Sequence, residues 1–276
     1  MHNQLTSSIS GVFPWLQRAF RDARHFQIFY LILFLVYGAL FLDWTQDWAK
    51  YAAIFCTGVL TQIVGLGITG IPWNSVKSAL ITCLGLSLLL KSSEPWILAL
   101  GAFLAISSKF LIRAKGTHFF NPANFGVIVA MLLTGEAWIS PGQWGSSVVL
   151  VYFLGAAALM VLLKCGRVDT SLAFLITFGA LEFCRTVLYL GWEWDVFAHK
   201  MCNGSLLLFA FFMITDPKTT PSSPKARLIW AIGIAVITFI VSNWMYVHTA
   251  PMWVLFFAAP TTVLFNRFFK HKSFNW

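Results

Sequence analysis

Apolar runs near residues 26–42, 51–70, 76–90, 96–112, 122–135, 146–163, 170–190, 203–215, 227–246 and 251–266 follow one another, with connections too short to hold a soluble domain. That succession constrains the fold more than any motif, because each run must be buried in protein or lie in hydrocarbon. Composition decides which. With 58% hydrophobic residues, 11% charged residues and a mean hydropathy of +0.75, the chain cannot cover ten such runs with a polar coat. Its solvent is a bilayer, where backbone N–H and C=O groups must be satisfied within the segment, so the runs predict helices. The expectation is an all-α polytopic membrane protein of about ten transmembrane helices.

The basic residues orient it. If the N-terminus is cytoplasmic, Lys50, Lys91 and Lys200 fall in loops on the far side and Arg185 falls inside a run, while the remainder of the 19 Lys and Arg lie on the near side. Both termini are therefore expected in the cytoplasm of a bacterium, with the chain in its inner (plasma) membrane. The net charge of +9 is a topology signal. A nucleic-acid partner is excluded, since it would need a soluble basic surface. Residues 1–25 contain "GVFPWLQRAFRDAR", which reads as a cytoplasmic amphipathic segment, with Phe13, Trp15, Leu16 and Phe20 toward lipid and the arginines toward headgroups. No small-residue cleavage site follows it, which argues against a signal peptide.

Ten runs divide into five plus five, and an odd number per half inverts the second half in the membrane. The proposed units are residues 26–142 and 143–276. "LITCLGLSLLLKSSEP" and "GSLLLFAFFMITDPKTTP" share an apolar run, a polar step, an acidic residue and Pro, and Gly101 and Gly233 fall in register in the following runs. Inverted repeats with short helices point to a binding site built from half-helix ends. Runs three, five and eight are short for a bilayer of about 30 Å, which singles out "NPAN" and "NGS". Asn121 can cap a helix that Pro122 opens, with Asn124 on its first turn. Asn203, Gly204 and Ser205 open the eighth run in the same manner. The two starts are expected to enter from opposite faces toward one shared cavity.

Asp216 with Pro217 stops the eighth run and orders its loop, or touches a substrate or partner. Glu182 and Arg185, three positions apart within one run, can share a helix face and pair, and intramembrane charge suggests function because of its cost. His118, His199 and His248 sit at run ends and read as interfacial. The five cysteines are scattered with no CxxC, and neither a metal site nor a nucleophile–base pair is expected, so no catalytic residue is assigned.

Two segments, "SSKFLIRAKGTHFFNPANFG" and "FAFFMITDPKTTP", resemble the FNPA-containing and TDP-containing segments of the RnfD/NqrB family, the membrane subunits of Rnf electron-transport complexes and of sodium-pumping NADH:quinone oxidoreductase. The resemblance extends over roughly residues 26 to 270 and includes UnbU-type members. It implies a subunit that holds flavin and passes electrons across the bilayer beside other membrane or redox subunits. Family members attach FMN through a phosphoester to a Thr in a Ser-Gly-Ala-Thr step ahead of TDP. The matching step is "CNGSLLLF", with Asn203 for the Ser, Gly204 matching, Ser205 for the Ala and Leu206 at the acceptor position. Leu206 has no hydroxyl. The resemblance therefore implies FMN or riboflavin held noncovalently, by Asn121, Pro122, Asn124, Asn203, Gly204, Ser205 and Asp216.

Two readings remain at this point: a subunit for transmembrane electron transport with noncovalent flavin or a redox partner, and a solute channel or transporter on the same scaffold without flavin. A structural membrane subunit is a third.

Overall fold

A computed structural model describes residues 22–42, 44, 47–140 and 148–269. The segment before residue 22 and the chain end after residue 269, with the expectations placed on them, lie outside the described residues.

Each apolar run is helical. The first half holds α1 (Ala23–Phe41), α2 (Trp48–Thr69), α3 (Val76–Leu89), α4 (Pro95–Leu111) and α5 (Pro122–Thr134). The second holds α6 (Val148–Cys165), α7 (Val168–Phe183, continued by a π-helical turn over Cys184–Tyr189), α8 (Trp194–Met201), α9 (Gly204–Leu208, continued by a π-helical turn over Phe209–Met213), α10 (Pro224–Trp244), α11 (Ala250–Ala258) and α12 (Thr261–Phe268). Among the described residues, four helices are long and apolar enough to cross a membrane, namely α1, α2, α7 with its π turn, and α10. The bent pair α8 and α9 makes a fifth if it is one span.

Two features depart from the expected pattern. An extra helix, α8, precedes the eighth run and meets α9 at a bend of 48°. It mixes Asp195, His199 and Lys200 with apolar residues, so no continuous apolar run announced it. The chain breaks at Asn203, whose side chain caps α9 by accepting from the N–H groups of Ser205 and Leu206. The second feature is a pair of small antiparallel ribbons. β1 (Leu90–Ser92) pairs with β4 (Ala137–Ile139), and β2 (Arg113–Ala114) pairs with β3 (Thr117–His118).

Contacts recur between the halves. The second run packs on the fourth and the seventh on the ninth, the fourth on the fifth and the ninth on the tenth, and the first on the third and the sixth on the eighth. The fourth and fifth runs approach closely through small residues: a Cβ on Gly126 would fall on the Gly101 carbonyl and 2.6 Å from the Ala105 Cβ. Gly101 with Ala105 and Gly126 with Ala130 repeat every four residues, the spacing that lets two helices in lipid bring their backbones together. That contact fixes where α5 and its capping Asn121 sit.

Candidate functional site

Two polar cavities occupy opposite ends of the helix bundle. The first holds about 240 Å³ and lies where α7, α8, α9, α10 and α11 converge. Its polar wall is Glu182, His199, Lys200, Asn203, Ser205 and His248. The second, of about 80 Å³, lies where α1, α3, α5 and the end of the α9 segment meet, and includes His118, Asn121, Pro122, Asp216 and Lys218. The expected shared cavity is therefore corrected to two, with Asn203 in the first and Asn121 in the second. Asn121 meets the end of the α9 segment through the Met213 carbonyl, and Asn203 lies in the cavity that the start of α11 also lines.

In the first cavity, Glu182 is 1% exposed and its carboxylate is divided between two donors. Lys200 Nζ donates to Oε2 at 3.0 Å, and Asn243 Nδ2 donates to Oε1 at 2.6 Å. Arg185 Nε donates to Asn243 Oδ1 at 2.9 Å, and its guanidinium lies 5.6 Å from the centre of the Trp244 ring. The expected Glu182–Arg185 pair is thus corrected: Glu182 pairs with Lys200, and Arg185 reaches it through Asn243. The helix widens to a π-helical turn over Cys184–Tyr189, and Arg185 lies within it.

Ser205 sits one residue past the start of α9, 8% exposed, and its hydroxyl has no partner among the described residues. The backbone N–H groups beside it are taken, since Asn203 Oδ1 accepts from Ser205 at 2.9 Å and from Leu206 at 3.4 Å. What the cavity offers a ligand is therefore the Ser205 hydroxyl, the Lys200 ammonium and the rings of His199 and His248. Leu206 lines the same cavity and has no hydroxyl to esterify. Gly204 is buried in the first turn of α9.

At the second cavity, Asn121 caps α5 by accepting from Asn124 N at 3.1 Å. Its Nδ2 donates to the Met213 carbonyl at 3.4 Å, and Asn124 Nδ2 donates to the Met252 carbonyl at 3.1 Å. The NPAN step thus ties α5 to the end of the α9 segment and to α11, while Asn124 Oδ1 has no partner among the described residues. Asp216 accepts from Lys218 N at 3.1 Å, and its carbonyl accepts from Thr219 and Thr220 at 3.1 Å, which closes the turn after the eighth run. Burial pushes the Asp216 carboxyl above its usual range. Burial, with Lys109, Lys218 and Arg113 adding to it, pushes His118 down to about 3, so this ring is neutral near pH 7.

Reading the sequence missed Lys200, Asn243 and the place of the two histidines. Two signals were available: Lys200 is a cation on the side where the charge bias disfavours it, and Asn243 is an amide within an apolar run. Among the described residues no cluster of His, Cys, Asp or Glu could hold a metal ion.

A family model described as the NQR2, RnfD, RnfE family matches residues 131–275. The D subunit of the ion-translocating oxidoreductase complex of Pseudomonas paraeruginosa is 29% identical over 225 residues, covering 60% of this chain and 65% of that protein. The protein of the same description in Pseudomonas aeruginosa is 28% identical over 275 residues, covering 75% and 79%. The D subunit of the Na(+)-translocating ferredoxin:NAD(+) oxidoreductase complex of Acetobacterium woodii is 23% identical over 262 residues, covering 81% and 79%.

Proposed function

This chain belongs to the NQR2, RnfD, RnfE family, and on that premise we propose that it is a multi-pass membrane subunit of an electron-transport complex, holding a flavin noncovalently in the cavity lined by Lys200, Asn203 and Ser205. The observation that carries this reading is the donor set there. A buried hydroxyl without a partner, an ammonium and two imidazoles converge on one cavity, and the chain has Leu206 where a covalent link would need a hydroxyl. FMN or riboflavin would supply one- and two-electron transfer when bound.

The residues then have distinct tasks. Lys200 supplies positive charge to a phosphate or to a ring edge that gains charge, and Ser205 donates a hydrogen bond that no described residue claims. Glu182 fixes the Lys200 ammonium at 3.0 Å, Asn243 fixes Glu182, and Arg185 fixes Asn243. Intramembrane charges are costly, so holding one basic group in place through such a series favours a single geometry. Asn121, Pro122 and Asn124 set α5 against the end of the α9 segment, and Asp216 shapes the turn that bounds the second cavity.

The same proposal includes ten spans in two inverted units, 26–142 and 143–276, in a bacterial inner membrane with both termini cytoplasmic and with other membrane or redox subunits as partners. The recurring packing of corresponding runs supports the repeat, as does the Pro within the first turn of both α5 and α11. The names of the relatives support the partners.

The test is a visible spectrum of protein purified in mild detergent after coexpression with a flavin transferase. Flavin absorbance that acid releases into the supernatant, with no fluorescent band on a denaturing gel, is the expected result. A colourless protein refutes the flavin site, and a fluorescent band refutes the noncovalent link.

A further inference from the structure

A third cavity, of about 440 Å³, lies on the face that the charge bias assigns to the outside, between the start of α2, the end of α3 and the β1–β4 ribbon. It is separate from the Ser205 cavity. Successive residues of a strand point to opposite faces, and β4 uses this: Trp138 lines the third cavity, Ile139 the first. Opposite Trp138 in register stands Lys91.

Three observations make the pocket a constructed one. Trp44 is buried, and its ring packs so tightly on α1 that a Cβ at Gly38 would lie 2.6 Å from its Cδ2. Lys91 Nζ lies 4.9 Å from the centre of that ring, and its nearest backbone acceptor, the Ser87 carbonyl, is 3.5 Å away. Lys50 shares the cavity and has Asp47 at 3.6 Å, whereas no carboxylate among the described residues lies within ion-pair distance of Lys91. Burial and the neighbouring charge of Lys50 push Lys91 down to about 8, the direction an unmatched cation takes. Both lysines also stand where positively charged loops are disfavoured, and the Lys200 of the first cavity is the remaining lysine on that side.

We propose that this cavity is an anion site that takes a phosphate carried on an apolar body, with Lys50 and Lys91 on the phosphate and Trp44 and Trp138 along the body. An anionic phospholipid of the outer leaflet has this chemistry, and so does a soluble aryl phosphate. Cation, aromatic ring and headgroup depth coincide here, the combination that interfacial aromatic and basic residues provide.

The test uses the full chain, delipidated in neutral detergent. Native mass spectrometry compares phosphatidylglycerol with phosphatidylcholine, and thermal unfolding is followed with and without phenyl phosphate. The expected result is preferential retention of one ligand, weakened roughly tenfold by Lys91→Gln, as loss of one charge-assisted hydrogen bond implies, and kept by Lys91→Arg. Retention of phosphatidylglycerol alone assigns the lipid source, and a shift with phenyl phosphate alone assigns the soluble one. If Lys91→Gln fails to fold, Lys50→Gln, nearer the rim, gives the same readout. Equal retention of both lipids with no phenyl phosphate shift, or binding unchanged in the folded Gln variants, overturns the site. Flavin content is expected to be the same in all of them, so this outcome is independent of the flavin reading.

Discussion

Substituting Gly126 by Ala tests whether the fourth and fifth runs are held by close backbone approach. The new Cβ would lie 2.6 Å from the Ala105 Cβ and on the Gly101 carbonyl, where carbon atoms prefer about 3.5–4.0 Å. Helix α5 must retreat by about 1 Å to restore that spacing. Overpacking of this kind costs about 1–3 kcal/mol. The retreat also stretches the bonds from Asn121 to Met213 and from Asn124 to Met252, now 3.4 and 3.1 Å, each worth about 0.6 kcal/mol between helices in a membrane. Gly233→Ala is the matched control, because nothing lies within 4 Å of a Cβ built there and the gain in helix propensity is the same. The difference between the two variants should therefore be about 2–4 kcal/mol, read by titrating denaturing detergent into mixed micelles and following tryptophan fluorescence. Adding Ala105→Gly to Gly126→Ala should recover part of the loss and leave the conflict with the Gly101 carbonyl. Equal stability of Gly126→Ala and Gly233→Ala would refute the packing argument.

Leu206→Thr should restore the missing acceptor: coexpressed with a flavin transferase, this variant is expected to give a fluorescent band on a denaturing gel, and its absence would mean that the surrounding step is no longer recognised. Asn243→Ala leaves Glu182 Oε1 and Arg185 Nε without their present partner, so it should cost about 1–3 kcal/mol in the same detergent titration, whereas Asn243→Asp should be worse because it places a second carboxylate against Glu182. A reporter fused after Trp276 is expected to read out as cytoplasmic, and an extracytoplasmic signal would reverse the orientation drawn from the basic residues.

The helices were legible because hydropathy acts residue by residue: the apolar runs became helical, the tenth divided between α11 and α12, and Asn121 and Asn203 became caps as their side-chain chemistry requires. The ribbon between Leu90–Ser92 and Ala137–Ile139 was not legible, since three-residue strands carry too little pattern to distinguish from loops. Helix α8 was hidden by its own amphipathicity. Asp195, His199 and Lys200 break the apolar run that would have revealed it.

The site was half legible, and the reason is geometric. Ser205 and Asn203 could be named from the sequence because they sit within one short step, whereas Lys200 and His248 reach the same cavity from different elements. Spacing along one helix suggested that Glu182 and Arg185 would meet, yet that inference assumes 3.6 residues per turn. Arg185 lies in the π-helical turn Cys184–Tyr189, where that spacing no longer holds, and Asn243, 58 residues beyond it, bonds to both Arg185 and Glu182. A charge in lipid takes the partner that three-dimensional packing brings to it, and here that partner came from α8. The sequence rule about where cations should not lie offered a signal for Lys200 that was not used. Applied to Lys50 and Lys91, the same rule singles out the two lysines that line the third cavity.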